Sequence, residues 1–191
     1  MKVVAFNGSP RKDGNTAILI REVFGELEKE GIETELVQFS GRAVRGCVAC
    51  YQCKEKQNRK CSISSDLVNE SIEKIIDADG LIIGSPCYFA SITAETKAFI
   101  DRVGLVCRAN GGLFRRKVGA AVVAGRRGGM VSAFDDINHL FFATEMVVAG
   151  SVYWNFGMGK QPGDVNDDEE GIQTMQKLGE NMAWLLSKTA D

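Results

Sequence analysis

The chain has 191 residues, 45% of them hydrophobic, with six cysteines and a formal net charge of −2. That length supports one domain with a sizeable core and is short for two; the near-neutral charge gives no general attraction to nucleic acid or to an anionic membrane, so neither is an expected partner. MKVVAFNGS lacks the apolar run of a signal peptide, and no stretch approaches the roughly 18 apolar residues of a spanning helix. A cytoplasmic protein with reduced cysteines is expected.

In chain order, Val3 to Phe6 is continuously apolar and predicts a strand buried on both faces. Ala17, Ile20, Phe24 and Leu27 then recur at helical spacing, and Glu33 to Phe39 reads as a second strand. After a cysteine-rich loop at 47–61, Ile72, Ile75 and Ile76 mark a second helix, expected to be capped from Ser64 or Ser65. Leu81 to Ile83 and Val118 to Ala124 are the third and fourth strands. A helix near Ser132 to Thr144 leads to a fifth strand at Val147 to Val152, and Ile172, Met175, Leu178, Met182 and Leu185 mark a last helix. With no repeat, low-complexity tract or Pro-rich linker, residues 1–191 are expected to form one domain. Five β/α units of this length predict a flavodoxin-like, doubly wound five-stranded parallel sheet of order 2-1-3-4-5 with helices on both faces.

Three loops fall at the carboxyl ends of strands, where such sheets bind ligands. In Asn7 to Thr16, Gly8 and Gly14 permit tight turns, Ser9, Asn15 and Thr16 offer donors, and the following helix start favours an anion, so this is a phosphate address. It is neither G-x-G-x-x-G nor a P-loop. The second loop, Gly84-Ser85-Pro86-Cys87-Tyr88-Phe89-Ala90-Ser91, sets two aromatics on the same sheet edge. A phosphate at the first loop and a planar ring at the second, on adjacent strands, suit FMN. Cys87 is placed with the cofactor-binding residues, although a lone cysteine is more often a small buried hydrophobe. In the third loop, Gly125 to Met130, Arg126 and Arg127 would frame a reduced flavin or meet the phosphates of a nicotinamide donor.

The cysteine run GCVACYQCKEKQNRKC spaces Cys47, Cys50 and Cys53 two residues apart, with Cys61 seven beyond. C-x2-C-x2-C with a distant fourth cysteine is the pattern of [4Fe-4S] ligation, whereas zinc modules usually present two separated C-x2-C knuckles. Zinc, free redox thiols and a single cluster all remain open on spacing alone. The loop would open on the same carboxyl edge as the flavin loops, about 10 Å laterally from the third strand. Arg42, Arg45, Lys54, Lys56, Arg59 and Lys60 against Glu55 make the segment basic, suited to an acidic electron carrier.

Together GSPRKDGNT, GSPCYFASITAETKAFIDR and VVAGRRGG resemble the NADPH-dependent FMN reductase superfamily of flavodoxin-like proteins, over roughly residues 1 to 152. The position of the cysteine run makes the chain most similar to the iron-sulfur flavoprotein branch. The resemblance implies that Ser9, Arg11, Asn15 and Thr16 grip the FMN phosphate and that Pro86, Tyr88 and Phe89, with Gly125 nearby, contact ribityl or ring. It also implies that Cys47, Cys50, Cys53 and Cys61 ligate a cluster and that the chain forms dimers or tetramers. Relatives often carry paired acids after the last cysteine; only Asp66 stands here.

The expected function is an FMN-dependent oxidoreductase moving electrons between NAD(P)H or a ferredoxin-like donor and an acceptor such as free flavin or quinone, with a [4Fe-4S] relay. The alternatives are a non-enzymatic electron carrier and a flavin reductase whose cysteines hold zinc or nothing. No side chain is required as acid or base. His139 is expected to be a packed helical residue, Asp135, Asp136 and the acidic run Asp164 to Glu170 a solvated face and a helix start, and Cys107 is given no function.

Overall fold

The computed structural model describes residues 1–189. Strands β1 (Lys2–Asn7), β2 (Glu33–Gln38), β3 (Gly80–Pro86), β4 (Val118–Gly125) and β5 (Val147–Val148) form a parallel sheet in the order β2-β1-β3-β4-β5. The side-chain alternation explains why the apolar runs are continuous. Val3 and Ala5 of β1 face α1 (Asn15–Lys29) and the C-terminal α6 (Glu169–Thr189). Val4 and Phe6 face the layer of α3 (Val68–Asp77), α4 (Ala94–Ala109) and α5 (Met130–Ala143). Each face thus buries its own half of every central strand.

The sheet has six strands among the described residues, not the expected five. Val147 to Val152 does not continue as one strand: β5 ends at Val148, the chain bulges outward, and β6 (Phe156–Met158) resumes pairing with β4 at Val123 to Gly125. Ser151 Oγ lies 2.7 Å from both Tyr153 O and Asn155 Oδ1, its one proton shared between the two acceptors, closing the bulge on itself. Tyr153, Trp154 and Phe156 then pack ring against ring, with Tyr153 and Trp154 largely exposed.

The expected cap of the helix after the cysteines is also different. That helix is α3, and no side chain of Ser64 or Ser65 caps it; Asp66 Oδ1 accepts from Val68 N at 3.2 Å. Helix α4 was not predicted. Thr93 begins it, its Oγ1 accepting from Thr96 N, and Phe99, Val103, Val106 and Cys107 face inward. A five-residue helix α2 (Gln52–Lys56) lies within the cysteine segment. His139 is on α5 as expected but is exposed, because helical periodicity turns Ala133, Ile137 and Phe141 to the core instead. Cys107 is a core residue whose sulfur accepts from Phe114 N at 3.3 Å.

Candidate functional site

The first glycine-containing loop is built where β1 ends. Asn7 is fully buried; its Oδ1 accepts from Ser9 N at 3.0 Å and its Nδ2 donates to Gln38 Oε1 at 2.8 Å, bending the chain off the strand. Gly8 N donates to Gly84 O at 2.8 Å, and Thr93 Oγ1 donates to Gly8 O at 2.9 Å, so the loop is pinned to β3 and to the start of α4. A Cβ on Gly8 would lie 1.8 Å from Thr96 Oγ1, which explains the glycine. Gly14 precedes α1 and no side chain caps that helix, leaving its first N–H groups for an anion.

Ser9, Arg11, Asn15 and Thr16 line one end of a cavity of about 300 Å³ whose other end is formed by Pro86, Cys87, Tyr88 and Gly125. Eight of the nine predicted cofactor residues therefore meet in one place. Phe89 does not: it is fully exposed and lies outside that lining, at the tip of a two-residue turn. Tyr88 and Ser91 exchange backbone hydrogen bonds of 2.8 and 3.0 Å across Phe89 and Ala90, whose φ values of 49° and 62° fall in the left-handed region. Ser91 Oγ donates to Asp136 Oδ2 at 2.6 Å, so Asp136 braces this turn and is more than a solvated acid.

Arg126, Gly159 and Lys160 complete the cavity, and sequence reasoning missed the last two. Gly159 N donates to Gly125 O at 2.9 Å, Gly163 N to Asn15 Oδ1 at 2.9 Å, and Arg11 Nη1 to Lys160 O at 3.2 Å. Asp164 Oδ2 accepts from Lys160 N and Gln161 N, and Asp168 accepts from Met158 N and Gly171 N, so the acidic run folds this turn and starts α6. The turn signature Gly159-Lys160-Gln161-Pro162-Gly163 was the available signal. Arg127, by contrast, faces a neighbouring cavity of about 410 Å³ with Met130, Tyr153, Phe156 and Thr174. The donors at one end and the rigid, partly aromatic wall at the other fit a phosphomonoester carrying a planar ring.

The four cysteines Cys47, Cys50, Cys53 and Cys61 line a separate, small apolar cavity with Val48, Ile63, Arg102, Leu105 and Val106. Cys47 and Cys50 are exposed, Cys61 is half-buried and Cys53 is buried. A hydrogen bond with Ser62 Oγ at 3.0 Å, aided by backbone N–H groups, holds Cys50 below the ordinary thiol value; burial pushes Cys53 up. Among the described residues, no three Cys, His, Asp or Glu side chains stand close enough to hold a single metal ion. The donor set, four thiols in an apolar setting with hydrogen-bond donors at the sulfurs, suits iron-sulfur ligation by its chemistry.

The position of this cavity corrects one expectation. Arg102 lies nine residues after Thr93 and Val106 thirteen after it, so the cysteines sit roughly 14 to 20 Å down α4 from the flavin edge. Arg59 N donates to Asn110 Oδ1 at 2.8 Å, which confirms that the segment runs along α4 towards the opposite end of the sheet. The loop leaves β2 at the carboxyl edge but does not stay there.

A doubly wound parallel sheet with an anion-ready helix start and a ring-sized cleft at its carboxyl edge defines a flavin-mononucleotide protein of the flavodoxin class. The chain belongs to the NADPH-dependent FMN reductase family, whose profile matches residues 1–161. It is 38% identical over 190 residues to an iron-sulfur flavoprotein of Methanocaldococcus jannaschii, covering 96% of each chain. An iron-sulfur flavoprotein of Methanosarcina thermophila is 32% identical over 188 residues, covering 97% of this chain and 95% of the other. A solved WrbA-like flavodoxin from Agrobacterium tumefaciens superposes with a TM-score of 0.67 at 13% identity, over 99% of this chain and 98% of that one, and shares the fold. Among the described residues, no helix is long and apolar enough to cross a membrane.

Proposed function

We propose that this protein is an FMN-dependent oxidoreductase that passes electrons between NAD(P)H or a ferredoxin-like donor and an acceptor such as free flavin or quinone, with a [4Fe-4S] cluster as relay. The observation that carries the reading is the convergence of Ser9, Arg11, Asn15 and Thr16 on the same cavity as Pro86, Cys87, Tyr88 and Gly125. When bound, FMN supplies two-electron chemistry that can be divided into single steps.

The residues of the chain bind and orient. Ser9, Asn15 and Thr16, with the first N–H groups of α1, hold the phosphate, and Arg11 and Lys160 add positive charge at the same end. Pro86 and Gly125 would present backbone to the ring, and Arg126, which lines the same cavity, would offer positive charge to a reduced, anionic flavin. No acid or base is needed. Cys47, Cys50, Cys53 and Cys61 would ligate the cluster, and the displacement of their cavity along α4 favours exchange with a flavin on another copy in a dimer or tetramer. The exposed basic residues Arg42, Arg45, Lys54, Lys56, Arg59 and Lys60 suit docking of an acidic, ferredoxin-like carrier in the cytoplasm.

The second reading, a carrier that turns over no small substrate, draws on that basic collar. An anaerobic assay separates the two: NADH or NADPH bleaching bound flavin supports the oxidoreductase, whereas bleaching by reduced ferredoxin alone, with no reduction of added free flavin or quinone, eliminates it.

A further inference from the structure

Arg102 is the most deeply buried charged residue of the described chain, with 1% of its surface exposed. It sits on α4, yet its guanidinium makes every hydrogen bond to the segment that carries the cysteines. Nε donates to Cys61 Sγ at 3.3 Å, Nη1 to Arg45 O at 3.1 Å and to Asp66 Oδ2, and Nη2 to Ile63 O at 2.8 Å. The Asp66 side chain is itself buried and also accepts from Arg45 N at 3.1 Å, so the fork grips both ends of the cysteine run. From the other side, Asn69 of α3 accepts from Cys61 N at 2.8 Å and donates to Cys61 O at 3.0 Å. Cys61 is thereby held by its backbone on one side and by its sulfur on the other.

A buried ion pair is seldom retained for stability alone, because desolvating both charges consumes most of their attraction. A pair serving only to close the loop would need no contact with sulfur. Here the Nε–H is directed at the Cys61 thiol, while Asp66 cancels the charge, leaving a directional donor on one cysteine. A hydrogen bond to a ligating sulfur withdraws electron density from it and favours the reduced state of the group it binds.

We propose that Arg102 is the positioning residue of the four-cysteine site, fixing the Cys61 sulfur through Nε–H and making the cysteine-bound cluster easier to reduce. The inference rests on the iron-sulfur reading of Cys47, Cys50, Cys53 and Cys61. Arg102→Lys keeps the positive charge beside Asp66 and removes the donor on sulfur. In anaerobically purified protein it is expected to keep its FMN and iron while the cluster signal, followed by electron paramagnetic resonance in a redox titration, moves to more negative potential. The expected change is about a tenfold fall in the reduced-to-oxidised ratio at fixed poise, or about 59 mV for a one-electron couple. Asp66→Asn is the second variant, for the case in which Arg102→Lys fails to fold. It leaves Nε–H on Cys61 but uncancels the guanidinium charge, and the potential is expected to move positive. An unchanged potential in Arg102→Lys, or an unchanged or more negative one in Asp66→Asn, overturns the tuning role while the cluster reading stands. Wild-type protein with no iron and four free thiols overturns both.

Discussion

Gly159→Ala tests the proposed phosphate end of the cavity through a lining residue that brings no polar side chain of its own. A Cβ there would lie 2.6 Å from Asn15 Nδ2, 3.1 Å from Asn15 Cγ and 2.8 Å from Val165 N. Both contacts are too short to stand, so the backbone at Val165 must shift and Asn15 must move and lose its bond from Gly163 N. With it goes one donor to the phosphate. A hydrogen bond to a charged group contributes about 1.5–3 kcal/mol, so FMN should bind about 10- to 150-fold more weakly. Riboflavin, which has no phosphate, should bind the variant and the parent alike. Quenching of flavin fluorescence on binding measures both ligands. Equal losses for FMN and riboflavin, or no loss for FMN, would refute the placement of the phosphate against Asn15.

Gly8→Ala forces Thr96 away from the loop and disrupts the Thr93 cap of α4; overpacking and cap loss together predict about 2–4 kcal/mol of destabilisation in urea. A midpoint equal to the parent's would contradict the close approach of Gly8 to Thr96. Phe89→Asn combined with Ala90→Gly places residues that favour left-handed φ in the turn, relieving about 1–3 kcal/mol. The melting temperature should rise by about 2–12 °C, and an unchanged value argues against strain there. Burial opposes the Asp66 charge, but hydrogen bonds from Arg102, Arg45 N and Val68 N prevail and hold its carboxyl below the ordinary value of 3.8. Its contribution is fully present above about pH 3.8 and is lost as the pH falls through the lowered folded value. Asp66→Asn should cost about 3–5 kcal/mol near neutrality, a gap that narrows on acidification; a gap constant from neutrality to strong acid would be inconsistent with the pair.

The order of the sheet was legible because strands such as Val3 to Phe6 are buried on both faces and carry no polar alternation to obscure them. That Ser9 and Thr16 would share one cavity end was legible for a different reason: they stand within a single short loop with Gly8 and Gly14. What escaped notice arises from distant pairings. Gly159 and Lys160 reach the cavity only because β6 pairs with the end of β4, and a three-residue strand after an aromatic bulge has too short a pattern to see. Phe89 looked like a cofactor aromatic from its neighbours Pro86 and Tyr88, but a left-handed turn points it away. Arg102 was visible only as part of a family motif; its role depends on a cysteine segment that descends along α4, which no local pattern encodes.

Iron, acid-labile sulfide and flavin analysis of protein purified without oxygen bears most directly on the pairing of a flavin cavity with a cysteine site. The expected composition is one FMN with about four iron and four sulfide per chain, with iron and sulfide falling short and FMN retained when Cys61 is replaced by Ser. FMN without iron, with Cys47, Cys50, Cys53 and Cys61 titrating as free thiols, would contradict the cluster relay.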